Sequence, residues 1–137
     1  MKLRLVKETC SLLLAALSIT LLTTLLGCAT IHYKSDPKLI GYTESGQASY
    51  YAMKFQFRST SSGERFNQLA LTGAHRTLPF GTKVRITNLK NHRSVVVKIN
   101  DRGPFVNGRI IDLSRYAFSK IGNTDSGTLD VKIEVIR

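Results

Sequence analysis

The sequence has few of the residues that build redox or metal centres. It contains two cysteines, Cys10 and Cys28, and three histidines, His32, His75 and His92. Cys10 lies inside an apolar N-terminal run and Cys28 at its end, so no disulfide is available to staple the remainder of the chain and the core must hold the fold alone. No His-x-x-x-His or Glu-x-x-His spacing occurs, and no cysteine pair lies beyond residue 28. The usual metal-site patterns are therefore excluded, and we expect neither a metal nor a cofactor. A glycine-rich phosphate loop, a Gly-x-Ser-x-Gly elbow and a dinucleotide fingerprint are also missing, which removes support for nucleotide binding and serine hydrolysis. There is no internal repeat or low-complexity tract. Acidic residues are scarce, 9 against 20 Lys and Arg in 137 residues, for a net charge of +11.

Lys2, Arg4 and Lys7 precede Leu12 to Leu26, an almost uninterrupted apolar run without a charge. Residues 1–27 thus read as an export signal. A membrane span needs about 20 apolar residues, and this run is shorter and ends in small ones, which argues against an uncleaved anchor. Its end, Leu25-Leu26-Gly27-Cys28, resembles the lipobox of bacterial lipoproteins. That resemblance implies lipidation of Cys28, and Ala29 in place of Asp implies an outer-membrane lipoprotein facing the periplasm. Removing residues 1–27 takes away Lys2, Arg4, Lys7 and Glu8 and leaves a net charge of +9. Such an excess raises nucleic acid or anionic membranes as partners. Export argues against nucleic acid. Lipid head groups and the carboxylates of wall peptides remain, as does a basic surface that is merely solvated.

Residues 28–43 include Asp36-Pro37 and Gly41 and read as a tether with little regular structure. The domain is expected over 44–137. Gln47 to Phe57 is rich in aromatics and alternates imperfectly, as a strand would. Val84 and Ile86 alternate with polar neighbours, Lys90 to Arg93 form a turn in which His92 is exposed, and the chain returns through Ser94 to Asp101 as a hairpin. Arg109 to Leu113 reads as a short strand. Ser114 caps a helix over 115–121 that places Leu113, Ala117 and Ile121 on one face and stops at Gly122. Leu129, Val131, Ile133 and Val135 make the last strand. Short strands around one helix indicate a mainly β fold, a small barrel.

Ser94 to Ser114 joins two of these strands through an acidic, glycine- and proline-containing loop. Counting by twos from Asp101 gives Ile99, Val97 and Val95, so Asp101 shares the apolar parity of its strand. Desolvation there would raise its pKa, the condition for a general acid near neutral pH. Pairing with Arg102, or capping the Gly103-Pro104 turn, is the alternative role.

Seven blocks then carry a family likeness: Gly46-Gln-Ala-Ser-Tyr-Tyr51, Thr60-Ser-Ser-Gly-Glu64, Leu71-Thr-Gly-Ala-His75, Thr77-Leu-Pro-Phe-Gly81, Val84 to Asn88, Asn100-Asp-Arg-Gly-Pro-Phe105 and Arg109-Ile-Ile-Asp-Leu-Ser114. In this order they resemble the rare lipoprotein A family. The resemblance implies a six-stranded double-psi β-barrel with one short helix, shared with expansins, and lytic transglycosylase activity on peptidoglycan glycan strands, peptide-poor ones preferred. In that reaction one carboxyl group protonates the glycosidic oxygen and the sugar's own 6-hydroxyl attacks, leaving a 1,6-anhydro end. One aspartate can then do what a hydrolase divides between two carboxylates. The resemblance places Asp101 in that role, with Glu64 and His75 in the same site. Glu64 would stabilise positive charge or orient substrate, and His75 would hydrogen-bond substrate or Asp101. Tyr51, Asn67 and Arg102 are implied to bind substrate, with fixing of the loop as the alternative role of Arg102. Asp112 matches too, but its place before Ser114 makes helix capping the better reading.

The chain departs from the family at Asn67, where an Asp is common, and at Gln56-Phe57, where His-Gly is common. Phe57 would narrow the groove or offer a stacking surface. Longer members continue into a glycan-binding domain, so here the barrel is expected to find its substrate unaided. The alternative of another class is a non-catalytic, expansin-like wall-binding module using the same groove.

Overall fold

The structure, a computed structural model, describes residues 36–137. The signal segment, Cys28 and most of the tether lie outside the described residues. Six strands, β1 (Thr43–Tyr50), β2 (Thr72–Ala74), β3 (Lys83–Asn88), β4 (Ser94–Asp101), β5 (Arg109–Leu113) and β6 (Leu129–Ile136), close into a barrel in the order β1-β5-β2-β4-β3-β6. The pairs β1·β5 and β2·β4 are parallel and the other four antiparallel. Among the described residues, closure pairs each of the six strands on both sides.

Period-two patterning fills the interior. Val84 and Ile86 of β3, Val95, Val97 and Ile99 of β4, and Val131, Ile133 and Val135 of β6 are all buried. The helix α1 (Arg115–Ile121) starts where Ser114 Oγ accepts the Ala117 N–H, and it buries Ala117, Phe118 and Ile121. Phe118 packs on Tyr50 with ring centroids 4.8 Å apart. Asn88 and Asn91 donate side-chain N–H groups to the Ile121 carbonyl, which satisfies an acceptor at the helix end.

The strand expected over Gln47 to Phe57 stops at Tyr50 and gives way to a 3₁₀ turn, Met53–Phe55. Tyr51 packs between Phe55 and Phe66, at 5.7 and 4.6 Å between ring centroids, so these aromatics cluster with one another instead of alternating across a sheet. Strand β2 has three residues, too few to show a period. Its Gly73 permits a close approach to β5: a Cβ there would stand 3.2 Å from the Asp112 carbonyl oxygen and from a Leu113 methyl. Nor are residues 36–43 without structure. Pro37–Leu39 form a 3₁₀ turn, and the Gly41 N–H donates to the Val135 carbonyl of β6.

Two register shifts shape the ends of β4 and β5. In β1·β5, Gln47 opposes Arg109 but Ala48 opposes Ile111, leaving Ile110 as an extra residue. In β2·β4, Gly73 opposes Ile99 but Ala74 opposes Asp101, leaving Asn100 as the extra one. Such bulges break strict alternation and re-aim the side chains beyond them.

Candidate active site

A cleft of about 640 Å³ opens beside the ends of β4 and β5. Tyr51, Phe55 and Arg58 line it from the segment after β1, Asp101 from the end of β4, Arg102 and Phe105 from the loop that follows, and Arg109 and Asp112 from β5. The topology brings the two aspartates to one place. Ala74 of β2 is the registered neighbour of Asp101 on one side and of Asp112 on the other. Two interstrand steps set their Cα atoms about 9–10 Å apart.

Their surroundings differ. Asp101 Oδ1 accepts from the Ser61 N–H at 2.8 Å, the Ser61 hydroxyl at 2.7 Å and the Arg102 N–H at 2.8 Å, while Oδ2 accepts from the Tyr51 hydroxyl at 2.6 Å. Burial alone would push this carboxyl up, but the four donors outweigh it and hold Asp101 below its ordinary value. The raised pKa expected from strand parity is therefore corrected. Alternation holds through Ile99, the register then shifts at Asn100, and Asp101 meets a ring of donors that only tertiary folding assembles. Burial and the neighbouring Asp101 raise the Tyr51 phenol, which keeps its proton and remains a donor.

Asp112 shifts the other way. Burial raises its carboxyl, Arg109 opposes the shift, and the charge of Asp101 reinforces it. Arg109 Nη2 donates to Oδ2 at 3.0 Å, whereas Asp112 Oδ1 and Arg109 Nε have no hydrogen-bond partner among the described residues. Helix capping falls to Ser114 alone, which also donates to the Ala70 carbonyl. The reading of Asp112 as a cap is thus corrected too.

The other expected site residues divide. Tyr51 and Arg102 line the cleft. Arg102 is committed within the protein, its Nη1 donating to the His75 and Leu78 carbonyls at 3.1 and 2.9 Å and its guanidinium lying 3.8 Å from the Phe80 ring centroid. Glu64 does not line the cleft. It accepts from Lys98 Nζ at 2.7 Å and Asn100 Nδ2 at 3.0 Å. Burial would raise its carboxyl, and these two bonds bring it down instead. With Ser61 on Asp101 and Glu64 on Lys98 and Asn100, the loop between Ser59 and Arg65 clasps the end of β4.

His75 also stands away from the cleft lining. Its side chain is 3% exposed, and its Nδ1 accepts from the Thr77 and Leu78 N–H groups. The proton of the neutral ring is consequently on Nε2, which donates to Glu44 Oε2 at 3.1 Å. The expected side-chain bond to Asp101 is not made, since Nδ1 and Nε2 both have other partners. Burial lowers the His75 pKa, against the opposing pull of Glu44. Asn67 is exposed and accepts the Leu69 N–H in a local turn, apart from the cleft. Phe57 neither narrows the cleft nor stacks in it; its ring is exposed and its φ is +64°, a backbone conformation that suits the glycine common there in the family.

Sequence reasoning missed Phe55, Arg58 and Arg109 as cleft residues. Strict alternation would put Arg109 and Asp112 on opposite faces of β5, and the extra residue at Ile110 brings them together. Among the described residues no three His, Cys, Asp or Glu side chains cluster as metal ligands.

Residues 43–133 match a family model described as lytic transglycolase. The endolytic peptidoglycan transglycosylase RlpA of Campylobacter jejuni is 55% identical over 97 residues, which cover 71% of this chain and 35% of that protein. Its counterpart in Vibrio cholerae is 53% identical over 101 residues, covering 74% and 38%. The chain spans about a third of the length of the curated relatives it matches. Among solved structures, the Streptomyces papain inhibitor superposes with a TM-score of 0.58 at 24% identity, covering 72% of this chain and 97% of that one. A Clavibacter michiganensis expansin solved with cellohexaose gives 0.57 at 19% identity, covering 70% and 51%. These two likenesses concern the fold, a double-psi β-barrel, and with a family model matched from the first strand into the last, this chain belongs to the lytic transglycolase family.

Proposed function

We propose that the barrel cleaves the glycan strands of peptidoglycan as a lytic transglycosylase, with Asp112 as proton donor and Asp101 as the standing anion. The observation that carries this is the unlike setting of two carboxyl groups lining one cleft: Asp101 accepts from four donors, which hold it down, whereas Asp112 is buried with Arg109 as its donor and is pushed up. Groups pushed apart in this way divide the acid and anionic roles between them. The proton-donor role passes from Asp101, where the sequence put it, to Asp112.

In this reading Asp112 gives its proton to the glycosidic oxygen as the bond to the anomeric carbon breaks. Asp101, held ionised by four donors, stabilises the positive charge that develops on the sugar ring. The sugar's 6-hydroxyl then attacks the anomeric carbon and its proton returns to Asp112, so the carboxyl is regenerated and no water is consumed. Arg109 keeps Asp112 oriented through Oδ2. Because a terminal carboxyl torsion is soft and two-fold, either oxygen can be turned toward substrate. Phe55 and Phe105 supply apolar faces for sugar rings on the cleft walls.

Preference for peptide-poor glycan, lipid attachment at Cys28 and a place at the outer membrane facing the periplasm belong to the same proposal and rest on the sequence likeness. The test is to incubate the protein with peptidoglycan stripped of stem peptides and weigh the soluble products. Anhydro ends, lighter by one water than hydrolytic ends, are expected. Asp112→Asn should cost about 10² to 10⁴ in rate, as for loss of a general acid. Hydrolytic ends, or release that is undiminished in Asp112→Asn, would contradict it. Binding without any release would point to the wall-binding module.

A further inference from the structure

His75 is the most completely enclosed titratable side chain near the site, and neither of its ring nitrogens reaches the cleft. Nδ1 shapes the backbone that borders Asp101, and Nε2 ties the ring to the Glu44 side chain. Nδ1 accepts the Thr77 N–H at 3.2 Å and the Leu78 N–H at 3.1 Å, which folds residues 75–78 into a tight turn. The turn presents the His75 and Leu78 carbonyls side by side, and Arg102 Nη1 donates to both. Thus anchored, Arg102 directs its own backbone N–H at Asp101 Oδ1, 2.8 Å away. A second connection runs along the main chain, where the His75 N–H donates to the Asp101 carbonyl at 3.2 Å. On the far side of the ring, Nε2 is held by Glu44 Oε2, which also accepts the Tyr42 hydroxyl at 3.0 Å. The first residues of β1 thereby fix the ring that fixes the turn.

From these contacts we infer that His75 is a positioning residue for Asp101, acting through Nδ1 as a turn acceptor with Glu44 as its support, and carries no proton in the reaction. This rests on the proposed role of Asp101 as the standing anion. It gives Glu44 a place in the site's architecture although Glu44 lies apart from the cleft.

The geometry sets a specific rescue test. An asparagine side chain accepts N–H groups from residues two and three further along the chain, the positions of Thr77 and Leu78, but has no titratable nitrogen. His75→Ala removes the acceptor, so the turn loosens and Arg102 loses its paired carbonyls. His75→Asn restores the acceptor. The titration of the Asp101 carboxyl carbon, followed by NMR, is the first readout because it needs no substrate. Anhydro-product release from peptide-stripped peptidoglycan is the second.

In His75→Ala the Asp101 titration should move up toward the ordinary carboxylate value and product release should fall by tenfold or more. His75→Asn should return the Asp101 titration to its parental position and recover product release to within a few-fold. A folded His75→Asn protein that remains as inactive as His75→Ala, with Asp101 titrating normally, would overturn the inference, because it would place the ring itself in the chemistry. So would a His75→Asn chain that does not fold. If the parent releases nothing, the enzymatic reading fails by itself, and the Asp101 titration still decides whether His75 positions that carboxylate.

Discussion

The Tyr51 hydroxyl lies 2.6 Å from Asp101 Oδ2, and it is the only one of the four donors on that carboxylate to reach Oδ2. Tyr51→Phe should therefore leave Oδ1 satisfied and Oδ2 bare. A hydrogen bond to a charged group contributes about 1.5–3 kcal/mol, so the variant should lose stability of that order and Asp101 should titrate at higher pH. Chemical denaturation and carboxyl NMR check both. An unchanged Asp101 titration would mean that the phenol does not hold the anion.

The depressed carboxyls also set the response of the fold to acid. Asp101 and Glu64 both titrate below their ordinary values in the folded chain. Their contribution is fully present above the unfolded carboxylate pKa, about 4, and is lost as pH falls through the lowered folded values. His75 works in the same direction at higher pH. Its folded pKa is lowered, so its contribution is complete above the unfolded value of about 6.5 and is lost as pH falls through the folded one. On acidification these contributions should fall in two stages, offset between them by a gain from Asp112, whose raised pKa works the other way, and His75→Asn should remove the upper stage.

Much of the barrel was legible in the sequence, because β3, β4 and β6 bury every second residue and α1 has a cap and an apolar face. Strand β2 was not, being three residues long and identified by its partners on both sides rather than by any period of its own. The site was legible as residues but not as roles. Asp101 was found by parity, yet its electrostatics depend on Ser61 and Tyr51, 40 and 50 positions away. Asp112 was visible within its block and misread as a cap, since the bulge at Ile110 that joins it to Arg109 leaves no trace in the pattern. His75 was singled out by its block, while the burial that removes it from the cleft was not.

The close packing of β2 on β5 gives a steric prediction. Gly73→Ala places a methyl 3.2 Å from the Asp112 carbonyl, tighter than an unstrained contact. Overpacking of this kind costs about 1–3 kcal/mol. It would also part the strands next to Ala74, the residue that sets both aspartates in register. Loss of stability together with a disproportionate fall in product release is expected, read from thermal unfolding and from initial rates.

Ser114 and Asp112 can be separated by substitution. Ser114→Ala removes the helix cap and should cost about 0.5–2 kcal/mol. Asp112→Asn removes a carboxyl whose folded pKa is raised. Such a group contributes stability fully below its unfolded pKa and loses that contribution as pH rises through its folded one. At neutral pH the asparagine variant should therefore unfold at no lower denaturant concentration than the parent, while losing activity. A large destabilisation in Asp112→Asn would return Asp112 to a structural role.

The division of roles between the two aspartates is tested most directly by following both carboxyl carbons by NMR across the acidic range, in the parent protein without substrate. The account predicts that Asp101 titrates first from the acid side, below the ordinary carboxylate value, and that Asp112 titrates later, above it. The same order should bound the pH profile of product release, with Asp101 setting the acid limb and Asp112 the alkaline limb. Asp101 titrating above Asp112 would contradict the assignment of Asp112 as proton donor and restore that role to Asp101.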